Sequence, residues 1–199
     1  MKVVIAIDSF KGSLSSMEGG NAVKAGILAA KPDANVIVKP LADGGEGTTD
    51  ALIEGLGGER VNLSVTGPLG EPVDAYYGRL PESSSAIMEM ATASGITLLP
   101  DGIKDPMRAS TYGVGEMIAD AIAKGCRDFI VGIGGSATND GGIGMLKALG
   151  FAFKDENGND VGEGGQALSR VASIQTNGRL ADLENCRFRV ACDVTNPLC

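Results

Sequence analysis

Histidine is absent from the 199-residue chain, and this absence restricts the available chemistry more than any other feature of its composition. A protein without histidine has no Ser-His or Cys-His nucleophile pair and lacks the commonest general base. Any catalysis must then use carboxylates, lysine, backbone dipoles or a bound metal ion. Phosphoryl transfer suits such a set, because it depends on positioning and charge neutralisation more than on covalent chemistry by the protein.

Long apolar runs and basic runs are missing as well. The apolar run VVIAI ends at Asp8 and is too short for a signal peptide core or a membrane span, so we expect a cytoplasmic protein without a membrane partner. The chain has 17 Lys and Arg against 25 Asp and Glu, which gives a formal net charge of -8. Because this charge repels a phosphate backbone and no basic run offsets it, nucleic acid is not an expected partner.

Cysteine is scarce, and its spacing fits no metal or disulfide motif. The four cysteines lie from residue 126 onward, at Cys126, Cys186, Cys192 and Cys199. No C-x-x-C pair occurs among them, so we interpret them as buried, reduced thiols rather than disulfides or zinc ligands. We assign them no chemical role.

The first part of the chain repeats a strand, a turn and a helix. The run KVVIAI predicts a parallel strand covered on both faces, and Ser15 with Glu18 forms a capping box that predicts a helix start. A second strand from Val36, a glycine-rich turn and a helix from about Thr48 to Leu56 follow. Two such units in succession indicate a parallel sheet with right-handed crossovers.

The pattern changes near residue 65. RVNLSV predicts a third strand, VDAYYGRL and SAIMEMA then predict an antiparallel pair, and a helix over 112–124 and a buried strand at DFIVGI follow. We therefore predict an α/β fold in two lobes, residues 1–65 with a parallel sheet and residues 66–199 with a mixed sheet. The last strand, in FRVACDVTNPLC, is not followed by the helix or return strand that the pattern requires, so we expect a truncated chain.

Four apolar strands each run into a polar turn that carries an aspartate. The aspartates are Asp8, Asp43, Asp140 and Asp193. Ligands of open α/β sheets bind at the carboxyl ends of the strands, so we expect these turns to converge on one cleft. The alternative is that aspartate serves each turn only as a turn or capping residue.

The turn in IDSFKGSLSS has the features of an anion cradle. Gly12 permits inward-pointing amides, the following helix presents its N-terminal N-H groups, and Lys11 adds a positive charge. No G-x-x-x-x-G-K-[ST] motif exists in the chain, so the turn is not a Walker A loop. The alternative for Lys11 is a solvated position on the rim of the site.

Two glycine-rich turns offer complementary chemistry. In LADGGEGTTDA, Asp43 and Glu46 suit a Mg²⁺ ion or acceptance of a hydroxyl proton, whereas we assign Asp50 to the helix dipole. GIGGSATNDGG carries enough backbone N-H groups to surround a polyphosphate. It lacks the G-x-G-x-x-G spacing with a downstream acid, so a nicotinamide cofactor fits it poorly.

Five motifs that span the chain resemble the bacterial glycerate kinase family. They are DSFKGSLSS, PLADGGEGT, STYGVGEMI, IGGSATNDGG and CDVTNPLC, in this order. The resemblance implies phosphorylation of D-glycerate by ATP to 2-phosphoglycerate, with 3-phosphoglycerate as the competing product. It also implies a flavodoxin-like lobe, into which a second α/β lobe is inserted, and a full length about twice that of this chain.

The resemblance also implies roles for the ATP-binding and catalytic residues. ATP would lie on the glycine-rich loops, at Gly44, Gly45, Gly134, Gly135, Ser136, Thr138 and Asn139. Asp43 or Asp193 would act as the base or as a Mg²⁺ ligand, with Glu46 as a further ligand. Lys11 would neutralise charge on the transferred phosphoryl group or on the glycerate carboxylate.

The substrate would be held by a second group of residues. Asp8, Ser9 and Ser13 would border it, and Arg108 would clamp its carboxylate through two hydrogen bonds. A surface salt bridge is the alternative role for Arg108. The incomplete first sheet would favour pairing with the missing half or association into a homo-oligomer.

Two other functions remain open at this point. Asp8 at the end of the first strand suits an aspartate-nucleophile phosphatase, although such an enzyme expects a second acid where Phe10 stands. A non-catalytic binding or assembly module is the other alternative, and it is favoured by the abrupt end of the chain.

Overall fold

The computed structural model describes residues 1–10, 13–41, 47–100 and 103–192. Several predicted site residues lie outside these described residues: Lys11, Asp43, Gly44, Gly45, Glu46 and Asp193.

The described residues form nine strands and five α-helices, and at the start of the chain strands and helices alternate as the sequence predicts. The strands are β1 (Lys2–Ile7), β2 (Asn35–Pro40), β3 (Glu59–Thr66), β4 (Pro72–Leu80), β5 (Ser85–Glu89), β6 (Asp128–Gly132), β7 (Ala152–Lys154), β8 (Ser173–Gln175) and β9 (Arg187–Ala191). The α-helices are α1 (Ser16–Ala30), α2 (Thr48–Leu56), α3 (Ala91–Ser94), α4 (Tyr112–Ala123) and α5 (Ile143–Ala148). Short 3-10 turns cover Pro81–Ser83, Ile96–Leu98, Gly165–Arg170 and Ala181–Asn185.

The first sheet consists of β1 and β2, which are parallel and connected by α1. The predicted capping box is present, because the Ser15 hydroxyl accepts a hydrogen bond from the Glu18 N-H at 3.1 Å and the Glu18 carboxylate accepts one from the Ser15 N-H at 2.8 Å. Ile5 and Val36 form the small core of this sheet. Val4 is 56% exposed, so the prediction that β1 is covered on both faces is wrong for the described residues.

The second sheet has five strands in the order β3-β4-β5-β6-β9. β3, β4 and β5 are antiparallel, and β5, β6 and β9 are parallel, which confirms the predicted mixed sheet. The parallel pair β5 and β6 needs a crossover, and α4 supplies it. The main core lies between α4 and this sheet, where Met117 and Ile118 pack with Tyr77 and Phe129.

The third strand differs from its prediction. The sequence analysis places it in the first lobe, whereas the structure pairs β3 with β4 from Glu59 opposite Arg79 to Thr66 opposite Pro72. The cause is the tight turn between them, in which the Gly67 N-H donates to the Glu71 carbonyl at 2.7 Å and makes the two strands antiparallel neighbours. Sheet pairing alone does not define lobes, so the division at residue 65 stays a prediction.

Helix α2 lies against both sheets. Pro40 at the end of β2 contacts α2 at Gly55, where an added Cβ would lie 3.2 Å from the proline ring. On the other side α2 packs on β4, because Gly78 leaves room for Ile53. This packing places the N-terminus of α2 beside the carboxyl end of β5.

Candidate functional site

The carboxyl ends of β5 and β6 lie side by side, since the two strands are parallel with Glu89 opposite Gly132. The loops that follow them are joined by backbone hydrogen bonds: Ile96 N-H to the Gly135 carbonyl at 2.9 Å, and Ala137 N-H to the Ser94 carbonyl at 2.9 Å. The glycine-rich loop after β6 is therefore fixed against the loop after β5.

The glycine-rich loop after β6 holds five of the predicted phosphate-binding residues, between Gly134 and Asn139. Gly134 and Gly135 are exposed, and Gly135 has a φ of 71°, which a residue with a Cβ adopts rarely. The Ser136 hydroxyl accepts a hydrogen bond from the Thr138 N-H at 3.0 Å and lies 2.8 Å from the Thr138 hydroxyl. Asn139, the last predicted residue of this loop, is exposed. The two hydroxyls thus shape the turn, and the exposed glycines bring the backbone to the surface.

Asp140 is a capping residue in this structure. Its side chain is buried, and its Oδ2 accepts hydrogen bonds from the Thr111 N-H at 2.8 Å, the Thr111 hydroxyl at 2.9 Å and the Gly144 N-H at 3.1 Å. Its Oδ1 accepts one from the Gly142 N-H at 3.0 Å. Of the four aspartate turns, this one follows the capping alternative, and Asp140 ties the start of α4 to the start of α5.

The turn after β1 places Asp8, Ser9 and Ser13 close to one another in the chain. The Asp8 carboxylate accepts a hydrogen bond from the Ser9 N-H at 2.7 Å, and the Ser13 N-H donates to the Phe10 carbonyl at 2.8 Å. The turn closes where the Phe10 N-H donates to the Leu14 carbonyl at 2.9 Å. Asp8 and Ser9 are partly buried and Ser13 is exposed, so this turn presents polar groups just before α1 begins.

The α1 N-terminus, which is part of the predicted anion cradle, carries the negative charge of Glu18. Glu18 and Ser15 engage two backbone N-H groups there, and these hydrogen bonds hold the pKa of the Glu18 carboxyl below its usual value. The helix start therefore already carries a negative side chain, which complements its dipole. Lys11, the predicted positive charge of this turn, lies outside the described residues.

Arg108 lies on a well-anchored loop with its side chain 67% exposed. Its guanidinium is 3.8 Å from the Asp105 carboxylate, a contact that contributes about 0–1 kcal/mol at such exposure. The loop itself is fixed, because the Ser110 N-H donates to the Pro68 carbonyl at 2.8 Å and the Ser94 hydroxyl donates to the Ser110 carbonyl at 3.2 Å. The clamp on a substrate carboxylate stays a prediction for Arg108.

Glu89 is the buried polar residue at this edge that the sequence analysis missed. It ends β5 with 3% of its surface exposed. Its Oε1 accepts a hydrogen bond from the Thr49 N-H at 2.7 Å, and its Oε2 accepts one from the Gly47 N-H at 3.3 Å. Both donors belong to the start of α2, where the N-cap residue Gly47 has a φ of 87° and no side-chain cap. Burial raises the pKa of the Glu89 carboxyl, and the two backbone donors oppose that rise.

One signal in the sequence points to Glu89. It is the single charged residue in the apolar run SAIMEMA, and a buried charge needs partners that satisfy it. The partners lie 40 and 42 residues earlier in the chain, where no local pattern indicates them.

No metal cluster and no membrane span occur in the part of the chain that the structure describes. Three or more His, Cys, Asp or Glu residues do not meet there in a geometry for a metal ion, and no described helix is long and apolar enough to cross a membrane. Of the cysteines in the described ranges, Cys126, Cys186 and Cys192 form no disulfide. Cys192 is exposed, so its predicted burial is wrong, because β9 lies at the edge of the sheet.

Comparison with known proteins agrees with the five motifs. Residues 3–199 match the model of the glycerate kinase family. The glycerate kinase of Bacillus subtilis is 47% identical over 198 residues, and the glycerate 2-kinase of Escherichia coli is 48% identical over 198 residues. Each match covers 100% of this chain and 52% of the relative, so the chain spans about half the length of these curated relatives.

A solved structure shares the fold over the whole chain. The crystal structure of a protein assigned as glycerate kinase 2 of Salmonella typhimurium LT2 superposes with a TM-score of 0.94 at 48% sequence identity. The match covers 100% of this chain and 53% of that one.

Proposed function

The chain belongs to the glycerate kinase family, and from this premise we propose that the protein transfers the γ-phosphate of ATP to a hydroxyl of D-glycerate. The observation that carries the proposal is the family match over residues 3–199, which includes all five motifs. The name of the Escherichia coli relative, glycerate 2-kinase, favours 2-phosphoglycerate over 3-phosphoglycerate as the product. We also propose a cytoplasmic location on the basis of this family match.

We propose that the loop after β6 binds the phosphates of ATP. Phosphates bind where backbone N-H groups are exposed, above all at glycine-rich loops and helix N-termini. The start of α2 is poorly suited to this role, because the Glu89 carboxylate already accepts hydrogen bonds from it. The exposed Gly134 and Gly135, on a loop fixed against its neighbour, support the assignment to the β6 loop. Gly44 and Gly45 would complete the nucleotide site.

We propose that glycerate binds near the turn after β1. Asp8, Ser9 and Ser13 supply polar groups there, and Lys11 supplies the positive charge that a carboxylate or a transferred phosphoryl group needs. Arg108 would contribute a second cation by exchanging its weak contact with Asp105 for the glycerate carboxylate.

Asp43 or Asp193 is proposed as the base that orients and deprotonates the glycerate hydroxyl. Mg²⁺ is proposed as the partner of ATP, where it would neutralise charge on the phosphate oxygens. Asp43, Glu46 and Asp193 offer the carboxylate oxygens that this ion prefers. These three residues lie outside the described ranges.

An ADP-release assay with D-glycerate, ATP and Mg²⁺ tests the proposal. It compares the 199-residue chain with the same chain joined to the C-terminal portion of the Escherichia coli glycerate 2-kinase. Turnover by both proteins places the catalytic residues within this chain, and turnover by the longer protein alone shows that further residues complete the site. Silence of both contradicts the proposed function, and phosphorus NMR of the product distinguishes 2- from 3-phosphoglycerate.

A matched pair of aspartate variants tests the role of Asp43 in the active protein. Asp43→Asn should lower kcat by about 100-fold or more, in the range of a lost general base. Asp50→Asn, on the first turn of α2, should leave kcat within about threefold, because Asp50 is occupied by Tyr76 at 3.2 Å and Arg60 at 3.7 Å. Equal activity of both variants would remove Asp43 from the mechanism.

Pairing of the chain with other polypeptide is proposed from its sheets. β1 and β2 pair only with each other among the described residues, and β9 pairs there only with β6. Beside β9, an apolar cavity of about 390 Å³ is lined by Leu146, Phe151 and Phe188. Such surfaces suit a further segment of polypeptide, either from the remaining length seen in the relatives or from a second copy. Sedimentation of the chain alone and of the longer protein separates these two outcomes.

A further inference from the structure

Glu89 occupies one of the most firmly held positions at this edge of the fold. It ends a strand with neighbours on both sides, β4 and β6. Its own carbonyl accepts a hydrogen bond from the Thr92 hydroxyl at 3.0 Å. Because its side chain is almost fully buried, the carboxylate has little freedom to change its rotamer.

The start of α2 has no cap of its own, and Glu89 supplies the acceptors for its backbone N-H groups. Gly47 has no side chain with which to cap α2, so its N-H and that of Thr49 would lack partners without Glu89. A hydrogen bond from a backbone N-H to a charged carboxylate is stronger than one to a neutral acceptor. The position of Gly47 is therefore set by the five-stranded sheet.

Gly47 is also the residue next to Glu46 in the chain, and Asp43 precedes it by only a few residues. Consecutive Cα atoms keep a separation of about 3.8 Å, so a displacement of Gly47 is passed directly to its neighbours. Catalytic geometry is sensitive to such displacements, since a misplacement of about 1 Å reduces a rate by about 100-fold.

We propose that Glu89 is a positioning residue: from the end of β5 it holds Gly47 and Thr49, and so fixes to the five-stranded sheet the start of α2, which Asp43 and Glu46 precede in the sequence. This inference rests on the proposed function of those two residues. Glu89 itself is assigned no contact with substrate. Its role requires both carboxylate oxygens, because each accepts one of the two backbone N-H groups.

Glu89→Gln is the sharpest test of this role. Glutamine has nearly the same size, but it presents one oxygen and one NH₂ group, so one of the two backbone donors loses its acceptor. We expect kcat to fall by about 10- to 100-fold, because the positioning of the reacting groups is lost.

Glu116→Gln is the matched control. Glu116 also accepts a hydrogen bond from a distant backbone N-H, that of Thr66 at 2.6 Å, and it is partly buried. It ties α4 to the end of β3, away from the start of α2. This variant should lower the Tm and leave kcat unchanged when both are measured well below the Tm.

Amide NMR spectra of the 199-residue chain provide a readout that does not depend on activity. In Glu89→Gln the resonances of residues 43–49 should shift, and in Glu116→Gln they should stay in place. If the longer protein shows no turnover at all, the proposed function fails, but these shifts still decide whether Glu89 holds the segment.

Two results would overturn the inference. One is an unchanged spectrum over residues 43–49 in Glu89→Gln. The other is a loss of kcat in both variants that follows their loss of Tm, which would make Glu89 a stabilising residue like Glu116.

Discussion

A glutamate carboxylate accepts backbone hydrogen bonds at the N-terminus of both α1 and α2, but the glutamate is local in α1 and comes from a distant strand in α2. Glu18 belongs to the first turn of α1 and forms a reciprocal pair with Ser15. Glu89 reaches α2 from a strand 42 residues after Gly47. A local cap stabilises its own helix, whereas a distant cap also fixes the helix relative to the sheet that supplies it.

The surroundings of the two carboxylates differ as much as their origin. Glu18 is exposed, and hydrogen bonds from Ser15 lower its pKa. Glu89 is buried, and the loss of water around it raises its pKa in spite of two backbone donors. The two carboxyls have the same capping role, but their pKa values shift in opposite directions. Hydrogen bonding outweighs desolvation at the surface, and desolvation outweighs hydrogen bonding in the interior.

The largest effect is expected where a distant cap is most completely buried, at Asp140. Asp140→Ala removes the acceptor of four hydrogen bonds from Thr111, Gly142 and Gly144. Buried donors then lose their partners, so the free energy of unfolding should fall by about 3 kcal/mol. Urea unfolding measures this loss.

An exposed aspartate serves as the control for Asp140. Asp155 accepts hydrogen bonds from the Asn157 and Asn159 N-H groups at 2.9 Å in a surface turn. Asp155→Ala should shift the urea midpoint much less than Asp140→Ala, because water replaces the lost acceptor. Similar shifts in the two variants would contradict the capping role of Asp140.

A pair of glycine variants gives the next largest effect and compares how α1 and α2 are packed. A Cβ at Gly78 would lie 2.6 Å from the Ile53 side chain, so Gly78→Ala should push α2 from β4 and lower the free energy of unfolding by about 2 kcal/mol. A Cβ at Gly26 in α1 meets nothing within 4 Å, so Gly26→Ala should raise it by about 0.5–1 kcal/mol. Thermal unfolding of the two variants checks these opposite signs, and a loss of stability in Gly26→Ala would refute the open packing of α1.

Removal of the local cap should have a smaller and more confined effect. Ser15→Ala should lower the free energy of unfolding by about 1 kcal/mol. Hydrogen exchange should quicken in the first turn of α1 and stay unchanged in α2 and β5. The two hydrogen bonds of the capping box join only Ser15 and Glu18, so their loss does not reach α2 or β5. Faster exchange across α2 would show that the two helix starts are coupled, and would contradict a purely local effect of the cap on α1.

The elements of this fold follow from local sequence patterns to a large extent. The capping box at Ser15 marked the start of α1, the bounds predicted for the second helix, Thr48 and Leu56, are those of α2, and the pattern of residues 112–124 predicted α4. The pairing of β3 did not follow, because the partner of a strand depends on the turn that joins the two and on the surface that both bury. The exposure of Val4 and Cys192 likewise depends on what covers a sheet, which no local pattern encodes.

The candidate site shows the same division. Its glycine-rich pattern predicted a loop after a buried strand, and the structure has Ser136 and Thr138 in that loop. Their predicted role in binding ATP stays a prediction. Sequence patterns could not decide between the ligand-binding and capping alternatives for Asp140, and they did not indicate the partners of Glu89, since both depend on segments that meet only in the fold. The roles of Lys11, Asp43 and Asp193 stay predictions from the family motifs.

The smallest effect, and the most direct test of the comparison, is the titration of the two glutamates. Carboxyl carbon NMR should find Glu18 titrating below the ordinary glutamate value of about 4.3 and Glu89 above it. For Glu18 the contribution to stability is present above its unfolded pKa and is lost as the pH falls through the lowered folded value. For Glu89 the sign is reversed: stability is greatest below the unfolded pKa and declines as the pH rises through the raised folded value, to which Asp50 adds by repulsion. In Glu89→Gln this decline should disappear, while in Glu18→Gln the loss at low pH should disappear. Parallel titration of both carboxyls would mean that burial does not distinguish the two helix starts.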